Sequence, residues 1–376
     1  MTDTGSRTTG EKKTGPIISG TYHPQDVTFL LKPVQLAATE VAVKEKLIQS
    51  GAAHYSEMIS EERRPDARYL AIFEQACING EHRIAREIST LARVIAERID
   101  SGLLESQITL CSLVRAGVPY GVLLQRELTA IGIDSKHFGV SIIRDKGLDR
   151  NAMQFIFKQR PLEGVVFVDG WTGKGAISNE LAKSWLEITG RQSPELVVLA
   201  DPGGFASLSA SHEDWLIPSG ILGASVSGLI SRSILNKAII GPDDFHGSVP
   251  VSHLADIDVS LKFVDRITEL IQEGRGLPEQ VQPAENRQKL RADVLQAVDS
   301  ISSQYMVKNY NRIKPGIAEA TRAVLRRKPH RVFIRSLEDP DLKALIHLCN
   351  TDQVQLVEDA TLTGPFRAIT LIEKTA

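Results

Sequence analysis

Apolar positions in this 376-residue chain follow two rhythms. From residue 41 to 99 they recur every three or four positions, the period of a helix with one buried face. Val41–Ile48 predicts a short helix. Tyr69–Ile99 predicts a long one, with Leu70, Phe73, Ala76, Cys77, Ile84, Ile88, Leu91, Val94 and Ile95 along one stripe. Gly80 predicts a break or kink within it. A short apolar stretch, Val27–Leu31, precedes both. From residue 107 the rhythm changes. QITLCSLV, KHFGVSII, GVVFV and PELVVLA are short, nearly continuous apolar runs, each followed by a turn with glycine or charge. PYGVLLQRELTAIG and AISNELAKSWLEITG read as the helices between them. Apolar runs alternating with helices predict an α/β fold with a parallel sheet covered on both faces. Ligands of such sheets sit beyond the carboxyl ends of the strands, so the residues just after each run are the informative ones.

The pattern breaks at EGRGLPEQVQPAENRQ, residues 273–288, which is aperiodic and rich in Gly, Pro, Gln and Glu. That composition predicts a linker. Beyond it come a helical stretch near Leu290–Ile301, the helix-like GIAEATRAVLRR, a strand RVFIRS, a helix DLKALIHLCN and strands VQLVE and AITLIEK. These make a small α/β domain. At the other end, Thr, Gly, Ser and Lys predict a disordered lead-in. The expected organisation is a lead-in 1–19, a main α/β domain 20–272 with helical N-terminal additions, a linker 273–288 and a small domain 289–376.

Charge sharpens the division. Residues 286–376 hold 15 Lys/Arg against 10 Asp/Glu, so a +5 tail follows a −7 body in a chain of formal charge −2. Separate jobs for the two parts are expected. The three cysteines, Cys77, Cys111 and Cys349, are far apart and in no CxxC spacing, which suits a reducing compartment and excludes a disulfide framework. No apolar h-region opens the chain and no apolar run reaches membrane-spanning length. A cytoplasmic protein without membrane contact is expected.

The richest stretch is VVFVDGWTGKGAI, residues 165–177. The strand ends at Asp169, and Thr172-Gly173-Lys174-Gly175 leads into a helix. Backbone amides in such a turn, ahead of a helix N-terminus, form an anion site. Lys174 adds charge and Thr172 a hydroxyl. A carboxylate beside a phosphate cradle suits a sugar phosphate. A Walker A loop is excluded, because Val168 stands five before Gly173 and Gly175 follows Lys174. A G-x-G-x-x-G fingerprint is excluded, because Gly170, Gly173 and Gly175 are spaced three and two.

The stretch resembles the phosphoribosyl-pyrophosphate loop of type I phosphoribosyltransferases. In that family an apolar strand ends in two acidic residues before a Thr-Gly turn that holds the 5′-phosphate. Here Gly170 stands at the second acidic position and Trp171 follows. The string is closer still to a bacterial subfamily of stress-response and tellurium-resistance gene clusters, in which a Pelota-like RNA-binding domain follows. Relatives have also been described as stationary-phase-inducible cysteine proteases. The resemblance implies Mg²⁺-dependent displacement at the ribose C1 of phosphoribosyl pyrophosphate by an unknown acceptor, with Mg²⁺ held mainly by pyrophosphate oxygens. It implies that Arg115, Ala116 and Gly117 form the pyrophosphate loop, that Gly170, Trp171, Thr172, Gly173, Lys174 and Gly175 bind the sugar phosphate, and that Asp169 is catalytic. SIIRDKGLDRNAMQF (141–155) resembles the family's mobile catalytic loop, which adds Arg144 and Lys146 as catalytic residues.

Two further stretches carry side chains for an acceptor. The Ser/Gly-rich segment 205–235 places Trp215, Pro218 and Arg232 among apolar residues, as a pocket for a planar group or as a packed insertion. GPDDFHG gathers Asp243, Asp244 and His246, as a metal or acceptor site or as an Asx-capped turn.

KPGIAEATRAVLRRKPHRVFIRS resembles the Pelota-type RNA-binding fold. The resemblance implies RNA contact through Gly316, Glu319 and Arg322, with Ala318 where a polar residue is usual. Arg326 and Arg327 extend the basic cluster as a footprint for phosphates. Two alternatives to transferase chemistry stand. One is a non-catalytic sensor of a nucleotide or of phosphoribosyl pyrophosphate that regulates RNA. The other is a cysteine protease using Cys111, a residue inside an apolar strand with no histidine nearby in sequence.

Overall fold

The computed structural model describes residues 17–274 and 287–374. Most of the expected lead-in 1–19 and of the expected linker 273–288 lies outside the described residues. Among the described residues, β1 (Ile17–Ile18), β2 (Thr28–Phe29) and β3 (Lys32–Pro33) precede α1 (Val41–Ser50) and α2 (Ala67–Asp100). The apolar runs become β4 (Ile108–Leu113), β5 (Ser135–Val140), β8 (Val165–Val168) and β9 (Glu195–Ala200). Between them lie α3 (Val118–Ala130), a hairpin of β6 (Ile142–Ile143) and β7 (Gly147–Leu148), α4 (Arg150–Phe157) and α5 (Ala176–Thr189). β10 (Leu208–Ser211), β11 (Gly247–Ser248) and α6 (Ser260–Glu273) follow.

The main sheet runs β1-β2-β5-β4-β8-β9-β10, parallel throughout except for the β1–β2 pair. All residues of β4 and β8 are buried, because helices cover both faces. Leu110, Val166 and Val168 face α2, α3 and α6. Cys111, Phe167 and Val165 face α4 and α5, where Trp185 packs edge-on to Phe167 at 5.3 Å between centroids. The carboxyl ends of β4, β5, β8 and β9 therefore open on one edge, where their loops gather.

Two expectations need correction, and one open choice is narrowed. Gly80 does not break the long helix, which is continuous for 34 residues and capped by Asp66 accepting from the Tyr69 amide at 2.7 Å. The glycine instead lets the insertion approach, since a Cβ there would meet Pro218 and Trp215 at 3.4–3.5 Å. The stretch 141–155 is not one loop. Asp149 caps α4 through the amides of Asn151 and Ala152, and its other oxygen accepts from the His246 amide, so the second half of the stretch is helix and only its first half forms a hairpin. In GPDDFHG, Asp244 pairs with Lys32 at 2.7 Å and accepts from Gly241, while the His246 ring bonds Ser141. That is the capped-turn arrangement, and no metal-holding cluster is found among the described residues.

The C-terminal part runs α7 (Arg287–Gln304), β12 (Ile313–Pro315), α8 (Ile317–Arg326), β13 (Pro329–Ile334), α9 (Lys343–Thr351), β14 (Gln355–Glu358), α10 (Ala360–Thr363) and β15 (Ala368–Ile372). Its sheet order is β12-β15-β13-β14. The period-two pattern of β13 divides its faces: Val332 and Ile334 pack toward α8 and α9, and Phe333 toward α7.

The first of these cores is continuous with the main domain. Ile317, Ala320, Val324 and Leu345 join Trp215, Leu216 and Ile217 of the insertion. Asp214 fixes the join: its buried carboxylate accepts from the Ile317 amide at 3.0 Å and the Arg367 amide at 2.8 Å. Burial pushes this carboxyl up to about 6, against the pull of those amides.

Candidate functional site

At the carboxyl edge of the main sheet lies a cleft of about 620 Å³, within the usual range for ligand sites (about 300–1,000 Å³). One wall is the turn after β8. The other is the C-terminal domain, through β12 and α8.

The turn is held from below. The Asp169 amide donates to Val197 O at 3.0 Å and the Thr172 amide to Ala200 O at 2.9 Å, which continues the parallel ladder past the strand. Thr172 does not offer its hydroxyl to a ligand, because that group donates to Asp201 beneath the loop. Asp201 in turn accepts from the Phe205 and Ala206 amides. Gly175 takes φ +81°, a left-handed turn, and a Cβ there would strike the Phe205 ring. The amides of Gly173, Lys174 and Gly175 have no acceptor among the described residues. They stand at the N-terminus of α5, the arrangement that receives anions.

Gly170 explains the absent second carboxylate. Its missing side chain faces Tyr120, whose ring carbon would lie 3.1 Å from a Cβ, and the Ala116 carbonyl, 3.4 Å away. An acidic side chain there would run into the core instead of the cleft. Asp169 is thus the one carboxylate of the turn. Among the described residues it accepts only from its own neighbour, Gly170, at 2.8 Å, and burial pushes it up to about 7.

Facing Asp169 is an excess of cations. Burial brings Lys174 down to about 7, helped by Lys314 and Arg144. Lys314 and Lys44 fall to about 8, Arg326 to about 9 and Arg232 to about 10, each chiefly through burial. Arg322 lies over the Trp171 ring at 4.6 Å and donates through Nε to Gly220 O at 3.2 Å, yet its buried Nη2 has no hydrogen-bond partner among the described residues. The Nε of Arg144 makes no hydrogen bond, but it lies 3.6 Å from the Asp145 carboxylate as an ion pair. Lys174 reaches across the cleft to the carbonyls of Tyr310 and Ile313. Glu319 and Asp145 are the other carboxylates in the lining.

Of the residues singled out by sequence, Asp169, Arg144, Ala116, Trp171, Thr172, Gly173, Lys174 and Gly175 line this cleft. Lys146 is exposed at the hairpin turn, outside the lining. Arg115 turns away: it donates to Ile230 O at 2.8 Å and pairs with Glu62 at 2.5 Å. Burial opposes ionisation of Glu62, but Arg115 and Arg326 hold it down at about 2. This pair borders a separate cavity of about 220 Å³, which shares Lys44, Arg232 and Arg326 with the cleft. Gly117 has no room for a side chain, since a Cβ would lie 2.0 Å from Val168 O.

The five residues expected to meet RNA are directed inward. Gly316, at φ +93°, abuts Asp214. Arg327 pairs with the fully buried Glu45. Glu319, Arg322 and Arg326 line the cleft. Packing against the main domain turns α8 toward the sheet edge. Lys44, His54, Tyr55 and Lys314 also line the cleft without having been singled out. The Tyr55 ring carries Arg144 and Arg232 at 5.5 and 5.4 Å.

The family model for tellurite-like stress resistance cysteine protease StiP matches residues 20–268, and that for the PELOTA RNA binding domain matches residues 292–374. A protein named cysteine protease StiP, from Acinetobacter baylyi, is 44% identical over 369 residues, covering 95% of this chain and 94% of that one. A mutant hypoxanthine phosphoribosyltransferase from Trypanosoma cruzi, complexed with its product IMP, is 18% identical and covers 35% of this chain and 68% of its own, with a TM-score of 0.27. A second structure of that enzyme with IMP is 19% identical over 35% of this chain and 76% of its own, with a TM-score of 0.26. These findings overturn the expected phosphoribosyl transfer: the relative that spans nearly the whole chain, and the family model, both carry the name of a protease.

Proposed function

The chain belongs to the family described as tellurite-like stress resistance cysteine protease StiP, and from that premise we propose an enzyme that works in the cationic cleft on a phosphate-bearing ligand and binds RNA with its C-terminal domain. A stress role and a cytoplasmic location belong to the same reading. Three free thiols suit that compartment, and no helix among the described residues is long and apolar enough to cross a membrane.

One observation carries the proposal. The buried Arg322 guanidinium, with an unbonded N–H, lines the same cleft as Lys174, Lys314 and a turn whose three amides have no acceptor among the described residues. Uncompensated buried charge is costly, and an anion seated on those amides would supply the missing partner. Asp169 and Glu319 are too few to cage a divalent cation by themselves. They suit Mg²⁺ that enters on the ligand's own phosphate oxygens. Inorganic pyrophosphate, with phosphoribosyl pyrophosphate as a second probe, tests this by calorimetry. Saturable binding of one equivalent, strengthened by Mg²⁺, is expected. No binding of either probe sinks the proposal.

The family's name makes thiol proteolysis the second reading. Cys111 is fully buried in β4, and burial pushes its thiol far up. Cys77 and Cys349 are pushed up to about 12 by burial. Among the described residues no thiol is bonded to an imidazole; the buried His137 serves Ser112 and the Asp26 carbonyl. A reactive cysteine needs a lowered pKa and an adjacent base. Peptide hydrolysis by the folded protein is therefore expected to be absent, with or without iodoacetamide. Hydrolysis that alkylation abolishes would establish the thiol reading.

A further inference from the structure

Helix α8 of the C-terminal domain, which carries Arg322 and Arg326, has no exposed residue. It forms a wall of the anion cleft. We propose that the RNA and the cleft's phosphate-bearing ligand are one molecule: a single RNA strand whose terminal phosphate sits in the cleft while its chain leaves across the C-terminal domain. The inference rests on the cleft being an anion site.

Two sets of observations carry it. The first is at the inner end. Arg322 belongs to the domain that matches an RNA-binding family, yet it is nine-tenths buried, lines the same cleft as the turn and stacks on Trp171. Its unbonded Nη2 is a donor waiting in the same cleft. Lys174 of the main domain reaches back to the carbonyls of Tyr310 and Ile313. One phosphate here would touch both domains at once.

The second set lies at the rim. Arg312 lines the cleft and donates to Ile372 O at 2.8 Å, and β15 joins β12, which follows Arg312, to β13, where Arg331 sits. The Arg331 Nε donates to His330 at 3.1 Å, and its guanidinium lies over the Tyr305 ring at 4.7 Å. A cationic path ending on an aromatic ring therefore leads out of the cleft. Backbone-tracking charge with a stacking face is how proteins hold single strands. Duplex RNA would present its phosphates on a surface too broad to reach the buried amides, so a strand end fits better.

The test uses the full chain and a short fluorescent single-stranded RNA in three forms: 5′-phosphate, 3′-phosphate and neither. One phosphorylated form is expected to bind at least about tenfold tighter than the unphosphorylated form, as one charge-assisted contact set implies. Saturating pyrophosphate is expected to remove that difference, and so is Lys174→Ala. Arg331→Ala is expected to weaken all three forms alike and to leave pyrophosphate binding unchanged. Thermal melts check that each variant folds. If RNA binds equally in all forms and pyrophosphate does not compete, or if RNA does not bind, the inference is wrong. Pyrophosphate failing to bind would instead remove the cleft reading beneath it.

Discussion

Lys174→Ala is expected to weaken pyrophosphate binding at pH 6.5 by about 10- to 150-fold, the range for losing a hydrogen bond to a charged group (about 1.5–3 kcal/mol). The gap between wild type and variant is expected to narrow at pH 8.5. The sign follows from burial, which brings Lys174 down from its ordinary 10.5 to about 7. Below pH 7 the side chain is charged and attracts the anion. Above pH 7 the empty cleft holds it neutral, so binding must first return a proton. Comparing the two proteins at each pH cancels the ligand's own titration. Calorimetry at the two pH values makes the comparison. An unchanging ratio would show that Lys174 does not face the anion.

The same burial has a signature in folding. Between about pH 7 and 10.5 the unfolded chain binds the extra proton at Lys174, so that residue's contribution to stability improves as pH rises through this window. Asp169 works the other way. The folded chain holds its proton between about pH 4 and 7, so its contribution falls as pH rises there. A bound anion opposes the effect at Lys174, because it favours the charged form.

The second large effect is expected at Gly117. A Cβ at this position would lie 2.0 Å from Val168 O and 3.0 Å from the Asp169 Cα. Both are backbone atoms, so no side chain can swing aside. Gly117→Ala must push the turn after β4 away from the turn after β8, and Asp169 moves with it. Overpacking of this kind costs about 1–3 kcal/mol or more. A melting temperature several degrees lower and loss of pyrophosphate binding are expected. Gly190→Ala is the control, since its Cβ meets nothing and only its left-handed backbone is strained. Equal effects of the two substitutions on binding would contradict the close packing of the two loops.

Much of this was legible in the sequence, and the limits have physical causes. The parallel sheet could be read because fully buried strands must be continuous apolar runs, as in β4 and β8. The cleft turn could be read because Asp169 and the glycines sit next to one another in the chain. The opposite wall could not. Lys44, Tyr55 and Lys314 come from distant segments and meet only through the docking of α1 and β12 around the sheet edge. Arg322 and Arg327 were visible as charges, but a basic helix looks the same whether it meets water or a buried Glu45. The Thr172 hydroxyl was read as a ligand group because Asp201, which takes it, lies 29 residues onward. Gly80 looked like a helix breaker, and only the nearness of Trp215 and Pro218 shows its packing role.

The most direct test of the cleft is a crystal structure of the full chain grown with pyrophosphate and Mg²⁺. The anion is expected on the amides of Gly173, Lys174 and Gly175, with Arg322 Nη2 and the Lys174 ammonium turned to it. Pyrophosphate bound elsewhere, with those amides and guanidinium still unpartnered, would contradict the account.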